Sequence, residues 1–424
     1  MKLEDVLSAL GEEDCLEIVS PHWEESQVAF PDELPDFLQP EHISENRKWG
    51  RLAEYMEPQI LEAARRIAGN PNLLRLAWHC YWLEYHPDLD CRNFIDWPTL
   101  EKSLGKDFCG IFYLLVGMGM VPIVRGLHKK MGVDEKITGD TLSNIRDFNW
   151  NYRKGHDGRL GIFRNQLFWY KYHVSGELFR IGRMQYFIHE FTGCAEIYRN
   201  RRTNEVLALA ENGMKMTDEG YVVFRGEEGT ETWTTTHVVD TQANTATGYV
   251  VSPKGMTLKR KITLDLSVWR RVLGRGDLML SMHIPAGGQM ALKKCIESAR
   301  DAFVFFEKHF PHRSVVGIDC YSWIFGNQLE DILDADSNLV ELLREGYLYP
   351  MPTSRTEGLF FIFYRTDVNL EDYPRDTKFQ QQILDWVLAG KPWRGSGWFV
   401  LKDDAEHFGK QFYRSNFPPK GVKI

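Results

Sequence analysis

The sequence predicts an α+β protein (mixed α/β), with a helical N-terminal domain followed by a mixed β-sheet flanked by helices. Three observations carry that reading. Apolar residues recur at helical spacing from Ile43 to about Lys154. Near Gly176 the apolar period shortens from about 3.6 to about 2 residues. After Val272 short apolar strands alternate with amphipathic helices, as βα units do. At 424 residues the chain is too long for one ordinary domain. The changes of period divide it into a helical part (1–155), a β-rich part (156–272) and a strand–helix part (273–424).

Residues 1–10 place apolar and acidic positions at helical spacing. Pro21, Pro31, Pro35 and Pro40 then punctuate an acidic stretch predicted to be irregular. Between Gly50 and Gly69, Leu52, Tyr55, Met56, Ile60 and Ala63 form one stripe, and Gly69 is a C-cap candidate. Asn70-Pro71 opens the next helix, striped by Leu73, Leu74, Ala77, Trp78, Tyr81 and Trp82. Two further helices are predicted near 106–130 and 134–154. The most apolar stretch, Ile111 to Val124, is too short to span a bilayer and is interrupted by Gly117, Gly119 and Pro122. It reads as a buried core helix, and no membrane association is expected.

Leu178, Ile181, Met184, Tyr186 and Ile188 surround an Ile-Gly-Arg turn and predict a hairpin. EVLALA, YVVFRG, TWTTTHVV, TGYVVS and KITLDL follow as short strands between glycine and charged turns. The predicted order is then strand 278–284, helix 290–309, strand 314–321, helix 337–345, strand 359–365, helix 377–389 and strand 396–401.

Composition removes several classes of function. A net charge of −8 and a pI near 5.9 argue against nucleic acid as a partner. The seven cysteines are scattered with no Cys-x-x-Cys or Cys/His ligand spacing, so no metal site is expected. Free thiols point to a reducing, cytoplasmic setting. The acidic start MKLEDVLSALGEED is not a signal peptide. Aromatic residues reach 13%, which serves thick cores or pockets for flat and acyl groups.

The most informative run extends from Asp277 to Trp323: strand, glycine turn, long amphipathic helix, strand. It sets a helix N-terminus beside the end of a strand, where free backbone N–H groups and the helix dipole suit a pyrophosphate. The candidates there are the N–H groups of Gly287, Gly288, Gln289 and Met290, with Lys293 or Lys294 adding charge. The plain alternative is a αβ connection in which the glycines only make the turn. His283 ends the strand and is a candidate general base; its alternative is a structural histidine. Asp319-Cys320-Tyr321-Ser322 closes the next strand, where open α/β sheets present ligand-facing residues. Were Cys320 beside His283, the pair would make a nucleophile; otherwise Cys320 is a small buried apolar residue. Ala299, Phe303, Phe306 and Phe310 read as a core-facing helix stripe. Arg270-Arg271 and Arg199 to Arg202 read as solvated turn charges, or as clamps for a nucleotide 3′-phosphate.

Specific residues in this run resemble those of the bacterial N-acyltransferases with a GNAT-like C-terminal domain. The matching positions are Leu280, His283, Ile284, Pro285 and Gly287 in the strand and turn, and Phe305, Phe306, Phe310 and Pro311 at the helix end. Cys320, Ser322 and Trp323 follow in the next strand. The resemblance covers most of the chain and is strongest from about Leu273. It implies a helical N-terminal domain, a splayed GNAT-like sheet, acyl-CoA as co-substrate and direct transfer of the acyl group to a small-molecule amine. It also implies a tyrosine as acid toward the CoA thiolate, with Tyr349, Tyr347 and Tyr364 as candidates. Residues Ile284 to Gln289 depart from the Gln/Arg-x-x-Gly-x-Gly/Ala phosphate loop of typical GNAT enzymes. That departure keeps open a GNAT-like ligand-binding protein without catalysis, and Cys320 with His283 keeps open an acyl-enzyme or hydrolase.

Overall fold

The computed structural model describes residues 1–89, 94–223, 232–354, 356–365 and 369–424. Cys91 and the end of the YVVFRG segment lie outside these residues. The chain forms two compact units, Met1–Ile181 with Pro285–Gly287, and Gly182–Ile284 with Gly288–Ile424.

The first unit is helical. Its centre is helix α1 (Cys109–Met118), in which every residue is buried. A helix that is apolar all round can satisfy its surface only by being surrounded. Two glycines let neighbours close on it: a Cβ at Gly110 would lie 2.3 Å from the Tyr152 ring, and one at Gly117 2.7 Å from Tyr170. The predicted helix 106–130 is in fact two, because α2 (Met120–Met131) starts after Gly119. Pro122 has no N–H for the Met118 carbonyl and its ring crowds that carbonyl, so the ladder breaks there. Together Cys109–Met131 is long and apolar enough to cross a membrane, yet 72% of its most apolar window is buried within this protein. The predicted helix 134–154 likewise divides, into Glu135–Leu142 and Asn144–Gly155. Asn70 caps Pro71–Tyr85 as its position suggests, its side chain accepting from the N–H of Asn72 and Leu73. The proline-punctuated stretch is more regular than expected: Trp23–Val28 is a helix, since its prolines flank that turn rather than interrupt it.

In the second unit the main sheet is built from β1 (Met184–Glu190), β2 (Leu278–His283), β3 (Gly317–Ser322), β4 (Tyr347–Pro350) and β5 (Ser396–Leu401). These lie in the spatial order β1-β2-β3-β5-β4. Only β2 and β3 run parallel; β1 on β2, β3 on β5 and β4 on β5 are antiparallel. Helix α3 (Leu292–His309) is the crossover between β2 and β3 and buries Ala299, Phe303 and Phe306 of the predicted core stripe, while Phe310 follows the helix end and is half-buried. A second, antiparallel sheet carries strands from 195–273, including Val206–Ala210, Thr245–Ser252 and Met256–Asp265.

Two expectations fail locally. Residues 359–365 are not a strand: Leu359–Phe363 is one helical turn, closed at both ends by left-handed residues, Gly358 at φ 71° and Tyr364 at φ 55°. The apolar run LFFIF has no alternation with which to signal its true period. Arg199 is not a solvated turn charge. Its guanidinium is buried and grips Asp404 through two 2.8 Å hydrogen bonds, with the Tyr413 hydroxyl donating to the same carboxylate at 2.9 Å.

Candidate active site

The site begins where β2 and β3 part. Their register pairs Leu280 with Ile318 and Ser281 with Asp319 and goes no further, although β2 continues to His283 and β3 to Ser322. Two parallel strands that separate at their carboxyl ends leave a cleft of the kind open α/β sheets use for ligands.

Side chains alternate across a strand, so the register assigns the faces. Ser281 and His283 share a face with Gln185, Phe187 and His189 of β1 and with Asp319 and Tyr321 of β3. On that face the His189 Nε2 lies 2.7 Å from Asp319 Oδ1. Asp319 is buried, and burial raises its carboxyl above the ordinary range while the His189 hydrogen bond pulls it back down. A carboxylate only accepts, so His189 donates through Nε2. Sequence reading missed this pair. The alternation of MQYFIHE carries a signal for His189, but its partner is 130 residues away.

His283 stands further along the same face, stacked on Phe187 with ring centroids 5.1 Å apart. Its Nε2 is 3.1 Å from Ser281 Oγ. Burial, then the neighbouring His189, lower it to about 3, so it is neutral near pH 7. Cys320 falls on the opposite face, since it follows Asp319 by one residue. It is buried beside Trp398, and burial holds its thiol well above the usual value. The structure therefore does not bring Cys320 and His283 together as a nucleophile pair.

Of the tyrosines, Tyr347 is committed elsewhere: its hydroxyl donates to the Val251 carbonyl at 2.5 Å and accepts from the Ala208 N–H. Tyr364 ends the short helix at 359–363, off the sheet. Tyr349 is buried on the Asp319 face and pairs with Gly397 in β5. Its ring lies over that glycine, where a Cβ would be 2.0 Å from the Tyr349 Cζ. Tyr321 of β3 is the other neighbour of Gly397. Phe191 packs edge-on at 5.6 Å. Burial first, and Asp319 next, push the phenol well above its ordinary value, so it keeps its proton.

The turn after β2 has two successive left-handed glycines, Gly287 at φ 71° and Gly288 at φ 76°. Both, with Gln289, are exposed, whereas the Met290 side chain is buried. Helix α3 begins at Leu292, and Ala291 supplies no side-chain cap. Among the described residues the backbone N–H groups of Gly287, Gly288, Gln289 and Met290 have no hydrogen-bond partner. Lys293 is exposed, 4.0 Å from Glu297. A residue not foreseen, Arg183, reaches this turn and donates to the carbonyls of Gln289 (3.3 Å) and Gly288 (3.4 Å). Among the described residues no three His, Cys, Asp or Glu side chains gather as metal ligands.

A mixed sheet splayed between two parallel strands, with a crossover helix starting beside the splay, defines a GNAT-like acyltransferase domain. Residues 178–399 match the GNAT-like C-terminal domain and residues 51–176 match the N-acyltransferase N-terminal domain. The chain belongs to this N-acyltransferase family. Solved structures of similar fold include an acyltransferase in complex with decanoyl-CoA and teicoplanin, at 20% identity and TM-score 0.60, covering 95% of this chain and 99% of that one. An acyltransferase mutant in complex with octanoyl-CoA matches at 19% identity and TM-score 0.59, over 95% and 99% of the two chains. The likeness to both is one of fold. No curated protein matches the chain in sequence.

Proposed function

We propose that this protein transfers an acyl group from acyl-CoA to the amine of a small molecule by direct attack. The observation that carries the reading is the His189–Asp319 pair, 2.7 Å apart, beside the parting of β2 and β3. The similar folds bound to decanoyl-CoA and octanoyl-CoA support an acyl-CoA donor, and the one bound to teicoplanin supports a small-molecule acceptor.

In this mechanism His189 Nδ1 takes a proton from the amine as its nitrogen attacks the thioester carbon. Asp319 holds the imidazole in the right tautomer and stabilises the imidazolium. Backbone N–H groups at the splay polarise the carbonyl. The C–S bond then breaks, and Tyr349 donates its proton to the leaving thiolate sulfur. His283, neutral and stacked on Phe187, lines the acyl-CoA path; we assign the base to His189 instead. The N–H groups of Gly287 to Met290, with the Arg183 and Lys293 charges, receive the pyrophosphate. This is an altered loop doing the work of the usual one.

The test is thiol release from acetyl-, octanoyl- and decanoyl-CoA with a panel of amines. His189→Ala is expected to lower turnover by a factor on the order of 10²–10⁴, as for a lost general base. Turnover within twofold of the parent protein would overturn the assignment. Stabilisation by acyl-CoA without turnover on any amine would favour a binding protein instead.

A further inference from the structure

The amide of Gln185 is a donor with nothing to donate to. Gln185 is 2% exposed, and its Nε2 has no hydrogen-bond partner among the described residues. A buried amide left unpaired loses its bonds to water with nothing in return, so such a group calls for an explanation. It sits opposite His283 in the β1–β2 register, on the face that carries His189 and Asp319.

Its position along β1 limits what the missing acceptor can be. Arg183, Gln185, Phe187 and His189 alternate along one side of the chain. At one end Arg183 touches the turn whose N–H groups are unpartnered. At the other, His189 meets Asp319. At about 3.3 Å per residue, Gln185 is roughly 13 Å from His189 along the strand, too far to contact a thioester carbonyl placed at the base. A molecule that runs from the turn to the base passes Gln185 about a third of the way along. In acyl-CoA the part between the diphosphate and the sulfur is the pantetheine arm, which carries two amide carbonyls.

We propose that Gln185 is an acyl-CoA-binding residue whose side-chain amide donates to a pantetheine carbonyl. This rests on the acyl-CoA reading above. The buried donor is satisfied only when the co-substrate is bound, so its desolvation is already met in the free protein and the bond it forms adds to affinity in full.

The test is Gln185→Leu, with Gln185→Met as a second variant of closer shape. Removing an unpaired buried amide leaves the free protein as stable as the parent or more so, which a melt in the absence of ligand checks. The gain in melting temperature produced by decanoyl-CoA should shrink. KM for acyl-CoA should rise about tenfold while kcat and the KM for the amine stay within twofold. A raised amine KM with unchanged acyl-CoA KM would overturn the proposal and give the donor to the acceptor substrate. Unchanged values for both substrates would overturn it in favour of water. If the parent protein neither turns over nor is stabilised by any acyl-CoA, the enzymatic reading itself has failed.

Discussion

The imidazole of His189 and the carboxylate of Asp319 meet at 2.7 Å although β2 runs between their strands. On the same face, from the far edge of the sheet, the Tyr349 ring lies over Gly397 of β5, the strand paired with β3. The proposed base and the proposed acid thus sit on β1 and β4, each one strand removed from β3. Asp319→Asn tests the first arm. It preserves shape but removes the acceptor that fixes the His189 tautomer, so kcat should fall by about 10²-fold or more. Acyl-CoA stabilisation in a thermal melt should be retained. Equal losses in kcat and in acyl-CoA binding would instead mean that Asp319 only shapes the pocket.

Tyr349→Phe tests the second arm, since the ring packing survives and only the proton donor is lost. With acyl-CoA the expected loss in kcat is on the order of 10²-fold. With an acyl thiophenol ester, whose thiolate leaves without help, the loss should be within a few fold. Gly397→Ala must displace the ring, because the new Cβ would lie 2.0 Å from Tyr349 Cζ. It should cost as much as Tyr349→Phe, and little more when the two are combined. If both variants lose equally on both thioesters, Tyr349 is a packing residue.

Much of this was legible in the chain, and the remainder has identifiable reasons. The run Asp277 to Trp323 declared itself because strand alternation, helix period and glycine turn agree with one another there, and the observed β2, α3 and β3 follow it. Strand β4 did not, because Tyr347 to Pro350 is four residues ending in proline, too short to show alternation. Tyr349 was therefore readable as a residue type but not as one lying across a glycine. Asp319 was noted for its place at a strand end, and His189 lay unremarked in a predicted hairpin. Their meeting depends on β2 pairing with both β1 and β3, a non-local fact that no local pattern records. Gln185 shows the same limit: an unpaired amide exists only once every neighbour is placed.

The proposed phosphate contact of Arg183 has a clean readout. Arg183→Ala should raise KM for acyl-CoA about tenfold, because a guanidinium lost from a diphosphate costs a charge-assisted contact. An acyl N-acetylcysteamine thioester, which has no phosphates, should be used equally well by the variant and the parent. The acyl-CoA KM of the parent should also rise with salt, and that of the variant less so. A variant that loses equally on both donors would show that Arg183 only braces the Gly288–Gln289 turn.

Acid should destabilise the helical unit through its buried histidines. Burial lowers His79 from 6.5 to about 4 and His173 from 6.5 to about 3. Both folded values are depressed, so below pH 6.5 the unfolded chain binds more protons than the folded one. Stability is then complete above that pH and falls as pH drops toward the folded values. For His79 alone the full loss is about 3 kcal/mol. Melts between pH 7 and 4.5 should show His79→Gln with the shallower fall, although it starts less stable because bonds to Ser26 and Val19 are gone. Parallel curves for the two proteins would remove His79 from the effect.

Cys320→Ser separates a thiol that reacts from one that packs. The side chain lies on the sheet face opposite His189 and His283, buried and paired in register with Trp398. Burial holds its thiol well above the usual value, with Asp319 adding to the rise, so little thiolate forms near neutral pH. An acyl-enzyme route through it would need both a thiolate and an adjacent base, and the register denies the second. The serine variant should therefore keep kcat and KM within twofold. It should also melt lower, because a hydroxyl replaces a weakly polar sulfur among apolar neighbours at a cost of about 1–3 kcal/mol. Loss of turnover beyond tenfold at a temperature where the variant stays folded, or trapping of acylated Cys320 by mass spectrometry, would reinstate the covalent route.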